Sequence, residues 1–236
     1  MPQAPRVLLP VLYRDAALLI VDKPAGLVVH RGWANDTITA LSLAREIAGQ
    51  WVYPVHRLDR STSGALVFAL SGEIAARVQE LFTSEQVEKR YLALVRGMAP
   101  SALLIEHAIA KEKDKPKLPA ATRMARLGSY HVEDAESGIA RNYSWVEAFP
   151  LTGRPHQIRR HLKHINHPII GDVRYGKAEH NRLFRRRFAL ERTALHAVSV
   201  SMPHPIDGTP LRVTAPLAED LHQLLAALSC LPEGPP

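Results

Sequence analysis

The sequence predicts an α+β fold, a single domain over residues 1–236 with its core from about residue 7 to residue 228. Three observations lead there. Apolar runs of strand length, such as Ala65-Leu66-Val67-Phe68-Ala69-Leu70, are bounded by turn residues. Between them lie stretches with apolar residues at helical spacing behind a Ser or Thr cap. The chain is long enough to bury a real core, and 46% of its residues are hydrophobic.

Taken in order, Met1 to Arg6 reads as a loose end. Val7 to Leu12 and Ala17 to Val21 read as strands around a polar turn at Tyr13-Arg14-Asp15, and Asp22-Lys23-Pro24-Ala25-Gly26 is a second turn. Thr37 is placed to cap a helix over Ile38 to Ala48, ended by Gly49. After the strand at Ala65 to Leu70, Ser71 caps a helix whose apolar face is Ile74, Ala75, Val78, Leu81 and Phe82. Tyr91 to Val95 reads as a strand. Ala110 to Asn142, with its run Lys111-Glu112-Lys113-Asp114-Lys115-Pro116-Lys117, reads as surface loops with room for a ribbon, and the charges as a solvated face or as phosphate contacts. Tyr143 to Phe149 reads as a strand and His156 to Ile165 as a helix or helical turn. Val198 to Met202 and Leu211 to Thr214 are late strands, Leu217 to Leu228 a closing helix, and Pro232 to Pro236 a fraying end.

Thirty Lys and Arg face 23 Asp and Glu, a net charge of +7, which favours a polyanionic partner. The lone cysteine, Cys230, permits neither an internal disulfide nor a cysteine-based zinc site. With no secretory pattern at Met1 to Arg6 and no run long enough to span a bilayer, the reading is a cytoplasmic protein, no membrane, and a monomer with no required protein partner by default. His161, His164 and His167 invite a metal, but no acidic residue completes the set, so no metal site is expected. Phosphate-binding loop and nucleophile-elbow patterns are absent.

The most informative stretch is His56-Arg57-Leu58-Asp59-Arg60-Ser61-Thr62-Ser63-Gly64. It sets one carboxylate between two arginines, ahead of a polar turn and a buried strand. A nearby cation keeps such a group ionised, which suits a nucleophile or base better than an acid. On an extended segment Arg57 and Asp59 project to the same side. The residues alone favour an idle surface ion pair here and a core tyrosine at Tyr91, and allow a helix-surface arginine at Arg159.

His-Arg-Leu-Asp before a Ser/Thr-Ser-Gly turn resembles the central motif of the RluA family of pseudouridine synthases. Glu88-Lys89-Arg90-Tyr91-Leu92-Ala93-Leu94-Val95-Arg96-Gly97 agrees with it in order and spacing. So does Gly153-Arg154-Pro155-His156-Gln157-Ile158-Arg159-Arg160-His161-Leu162, continuing to His167-Pro168-Ile169-Ile170-Gly171-Asp172. The resemblance runs from about Leu12 to Thr214. It implies the pseudouridine synthase fold: a long, mostly antiparallel mixed sheet flanked by helices, with a central active-site cleft and here no N-terminal RNA-binding accessory domain. It implies an isomerase that moves uracil from an N1 to a C5 linkage on C1′ of its ribose, with RNA as partner and no cofactor.

Residue by residue, the resemblance assigns the essential carboxylate to Asp59, acting as nucleophile at C1′ or as base at the sugar. Tyr91 becomes the aromatic beside the base, and Arg159 the arginine that pairs with the aspartate. Arg57 takes the gap left by a flipped nucleotide, and His56 orders the turn. Arg154, His156 and Arg160 are substrate-binding, beside His161 and Lys163. Apart from the resemblance, the four arginines of Arg182-Leu183-Phe184-Arg185-Arg186-Arg187 read as a solvated charged face or, with the +7 net charge, as phosphate contacts. Val28-Val29-His30-Arg31-Gly32-Trp33 and Gly171-Asp172-Val173-Arg174-Tyr175-Gly176 are similar to a tRNA-acting branch, which implies uridine-65 of the T stem of tRNA. Ribosomal RNA is the alternative target, and an RNA-binding protein without chemistry the alternative class.

Overall fold

The computed structural model describes residues 8–31, 36–112, 114–136 and 138–230. The expectations for Met1 to Arg6, for Gly32-Trp33 and for Pro232 to Pro236 fall outside them. The elements are α+β and the chain forms two compact units, residues 1–87 with 199–216, and residues 88–198 with 217–236.

In the first unit β1 (Val11–Arg14), β2 (Leu18–Lys23) and β4 (Ser63–Ala69) follow one another in the sheet, antiparallel, and the short β3 (Tyr53–Pro54) pairs with β4. Every residue of β4 is buried, which explains its unbroken apolar run. Tyr13 and Arg14 lie inside β1 rather than in a turn. The reversal comes at Asp15, whose Oδ1 accepts from the amides of Ala17 and Leu18, both at 2.7 Å. Helix α1 (Ala40–Ala48) starts two residues later than expected. Thr39, not Thr37, accepts from the Ser42 amide at 3.0 Å while Ser42 Oγ accepts from the Thr39 amide at 2.9 Å, a reciprocal box. Gly49 closes the helix in the left-handed region, as expected. Helix α2 (Gly72–Thr83) is capped by Ser71 and lays Ile74 and Val78 on Val67 and Ala69. The 199–203 half of β11 (Leu195–Pro203) pairs with β12 (Pro210–Thr214) and adds Val200, Met202 and Val213 to the same core.

In the second unit β5 (Glu88–Arg96) pairs with β10 (Ile139–Pro150), β10 with β9 (Ala121–Asp134), and β9 with β6 (Ala102–Glu106), all antiparallel. A two-stranded ribbon, β7 (Ile109–Ala110) with β8 (Lys117–Leu118), stands apart from them. The loop reading of Ala110 to Asn142 is therefore corrected: most of it is a long two-stranded hairpin. One face carries Thr122 and Met124 and the other Val132, Tyr143 and Trp145, all buried. A bulge opposite Trp145 and Val146 leaves Leu127 unpaired and 53% exposed, and this hides the alternation. Helices α3 (Gln157–His164), α4 (Ala178–Phe188) and α5 (Glu219–Ser229) complete the unit. The sequence reading gave no helix over Ala178–Phe188, yet His180, Leu183 and Phe184 form a buried stripe at helical spacing.

Candidate active site

In the first unit, Asp59 sits on a turn closed by the Thr62 amide, which donates to the Asp59 carbonyl at 3.0 Å. Leu58 is buried between exposed Arg57 and half-buried Asp59, an in-out alternation that turns both charged side chains away from the core. The turn is anchored from beneath. The fully buried Lys23 ammonium donates to the carbonyls of Pro24 and Leu27 at 2.8 Å and of Arg60 at 3.4 Å, and the Gly26 amide donates to Arg60 O at 2.8 Å. Sequence reasoning saw only a turn at Lys23. A buried lysine meeting carbonyl oxygens fixes two loops at once. Arg60 turns outward into a fork on Asp36, 2.9 and 2.5 Å. His56 Nε2 accepts from the Val67 amide at 3.0 Å, so this nitrogen carries no proton, and its ring lies 5.6 Å from Phe82. This bond ties the motif to β4.

In the second unit, Tyr91 is buried on β5 opposite Ala148. Two residues before it, burial pushes the Lys89 ammonium down to about 8. On α3, the buried Arg159 forms a two-pronged pair with Asp172, Nε to Oδ2 at 2.7 Å and Nη2 to Oδ1 at 2.8 Å. Asp172 is fully buried and its Oδ1 also accepts from the amides of Arg174 at 2.9 Å and Tyr175 at 3.0 Å. Burial works to raise this carboxyl, but the hydrogen bonds from Arg159 and the two amides prevail and hold it below the ordinary carboxylate range. His156 caps α3 in the left-handed region, φ 53°, and its Nδ1 meets Tyr175 Oη at 3.0 Å. The Tyr175 ring lies 5.1 Å from the Arg159 guanidinium and 5.9 Å from the Lys163 ammonium.

His156 and Arg159 are thus brought together, through Tyr175 and Asp172. Arg154 and Arg160 diverge. The first donates to Pro119 O at 3.2 Å and the second to Ala110 O at 2.7 Å, so both brace the 110–119 segment. His161 is fully buried between Thr122 Oγ1 and His107 O, 2.9 Å each, and no cluster of three metal-ligating side chains occurs among the described residues. Three of the α4 arginines have partners at the surface: Arg185 meets Glu191, Arg186 meets Asp134 and Glu136, and Arg187 donates to Glu133 O. The sequence alone gives Asp172 and Tyr175 no role. The available signal was a buried-type Gly-Asp following an Arg-rich helix, an acid that needs a cation.

Comparison with known proteins gives the family. Residues 17–164 match the family described as RNA pseudouridylate synthase. The chain is 39% identical over 232 residues to tRNA pseudouridine synthase C of Vibrio cholerae serotype O1, covering 93% of this chain and 95% of that protein. It is 37% identical over 231 residues to the protein of the same name from Salmonella typhi, covering 92% and 89%. Among solved structures it resembles Human RNA Pseudouridylate Synthase Domain Containing 4, with 26% identity, a TM-score of 0.72 and 93% of each chain covered. It also resembles Human RNA Pseudouridylate Synthase Domain Containing 1, with 27% identity, a TM-score of 0.70 and 97% of each covered.

Proposed function

The chain belongs to the RNA pseudouridylate synthase family, and from that we propose that it isomerises one uridine of tRNA, uridine-65 in the T stem, to pseudouridine. The bond from C1′ to N1 breaks, a bond from C1′ to C5 forms, the C5 proton leaves and N1 gains one. No electron is exchanged, and no group enters or leaves. The chemistry therefore asks for a carboxylate beside the sugar, a surface that keeps the freed uracil in place and a group that handles the C5 proton.

The observation that carries the chemistry is the presentation of Asp59: half-buried, on a turn braced by Lys23, with Leu58 as its anchor and Arg57 on the same side. A carboxylate so presented serves as nucleophile at C1′ or as base at the sugar. In this reading Tyr91 supports the base and Arg159 assists as a held guanidinium. Arg57 offsets part of the few kcal/mol needed to unstack a nucleotide from a stem. The tRNA substrate is supported by the relatives named tRNA pseudouridine synthase C, matched along nearly their whole length.

The test is to map pseudouridine in tRNA and ribosomal RNA from cells with and without this protein, beside purified enzyme and its Asp59→Ala variant. Loss of pseudouridine at position 65 alone, and a variant that binds tRNA yet makes no pseudouridine, are expected. Persistence at that position with loss in ribosomal RNA refutes the substrate, and turnover by Asp59→Ala refutes the site.

A further inference from the structure

We infer that Asp172 is a positioning residue for the reaction, one carboxylate that sets the Arg159 guanidinium and the Arg174–Tyr175 turn in a single geometry. The inference rests on Arg159 acting in turnover, as proposed above, and on a closed circuit of contacts within the second unit. Asp172 grips Arg159 by its Nε and Nη2 edge. Arg159 lies on α3, three residues after the cap His156. His156 bonds the Tyr175 hydroxyl, and the Tyr175 amide returns to Asp172 Oδ1. A side chain tied only at its tip keeps several rotamers, whereas one inside such a ring keeps one. An arginine that must hold an anion in the transition state gains from this, because a small misplacement of a positioning group costs rate out of proportion.

The backbone around Asp172 is fixed as tightly. The Gly171 amide donates to Asn181 Oδ1 at 2.8 Å, Asn181 Nδ2 donates to the Asp172 carbonyl at 3.0 Å, and the Gly176 amide donates to the same carbonyl at 2.9 Å. The orientation of the fork has a chemical consequence. With the Nε–Nη2 edge facing Asp172, a second anion is met by the Nη1 side, so Asp172 decides which face of the guanidinium points to the reaction. It also balances the charge of a guanidinium that is only 7% exposed.

The test compares wild type, Asp172→Asn, Arg159→Ala and the double variant in steady-state turnover on an RNA stem-loop, with RNA affinity measured separately by fluorescence anisotropy. Asp172→Asn keeps the shape and an oxygen for the turn amides but sets an amide or a neutral oxygen against Arg159. Expected is a fall in kcat of roughly 10- to 100-fold with KM and RNA affinity within about threefold, the pattern of an interaction made in the transition state. The double variant should turn over no more slowly than Arg159→Ala alone, since the carboxylate works through that arginine. Asp172→Asn with wild-type kcat while Arg159→Ala is inactive overturns this inference and leaves the role of Arg159 standing. Losses that multiply in the double variant also overturn it. Wild-type kcat in Arg159→Ala removes that role and this inference together. Should Asp172→Asn fail to fold, Arg159→Lys decides. A single ammonium cannot span both oxygens of Asp172 and still present a fork, so kcat should fall similarly, and kcat within about threefold of wild type overturns the claim.

Discussion

Lowering the pH from 7 to 5 should destabilise this protein through one histidine, His180. Its Nδ1 lies 2.7 Å from the hydroxyl of the fully buried Tyr143, and its ring packs edge-on to that tyrosine. Burial is the main cause that pushes the imidazole down to about 4, and burial pushes the Tyr143 hydroxyl up to about 12. Tyrosine therefore stays the donor and Nδ1 the acceptor, which leaves the proton of the neutral ring on Nε2. In the unfolded chain the same ring titrates near 6.5. The folded state refuses a proton that the unfolded state takes, so this contribution is full above about pH 6.5 and falls away between 6.5 and 4. With those two values the loss by pH 5 is about 2 kcal/mol, against a few tenths at pH 7.

Urea unfolding of wild type and His180→Gln at both pH values measures it. Glutamine keeps an acceptor for Tyr143 and removes the titration, so the drop in unfolding free energy from pH 7 to pH 5 should be smaller in the variant by about 2 kcal/mol. Equal drops refute the reasoning. The link to the site is direct. His180 seats α4, and the next residue, Asn181, holds the backbone at Gly171 and Asp172.

Two further outcomes follow from the geometry. Gly171→Ala should be severely destabilising, by on the order of 3 kcal/mol, because the residue has φ +77° and a Cβ there would stand 1.9 Å from Arg192 O. Thermal unfolding should show a midpoint lower by roughly 10 °C, and an unchanged midpoint contradicts the packing described. Arg57→Ala should reduce kcat/KM by about tenfold on a stem substrate and by less than about threefold on a flexible single strand, as expected if it stacks in the vacated gap. Equal losses on both would assign Arg57 to simple phosphate contact.

What the sequence made legible was local. The Asp59 turn, the Ser71 cap and the Gly49 stop each depend on residues a few positions apart, and each stands where its pattern put it. The α1 start was displaced because two threonines compete, and only Thr39 has a serine three residues on to answer it. The β9–β10 hairpin was obscured by its bulge, by Gly128 and by the charged run before it, which together break the two-residue period. The Asp172–Arg159 pair was illegible for a different reason. Thirteen residues and a reversal separate its partners, and no local rule says which arginine of a basic helix points inward. Helix α4 carries its periodic stripe, but four arginines in six residues mask it as a charged segment.

Those arginines change what a titration with salt should show. Each lysine or arginine that neutralises a phosphate releases about one condensed ion, so the count sets the slope of log affinity against log salt concentration. Three of the four in α4 already face Glu191, Asp134, Glu136 or the Glu133 carbonyl, and among the described residues Arg182 has no ion pair. The helix should then contribute nearer one released ion than four, and the excess of basic over acidic residues overstates how steeply binding weakens as the buffer is made more concentrated.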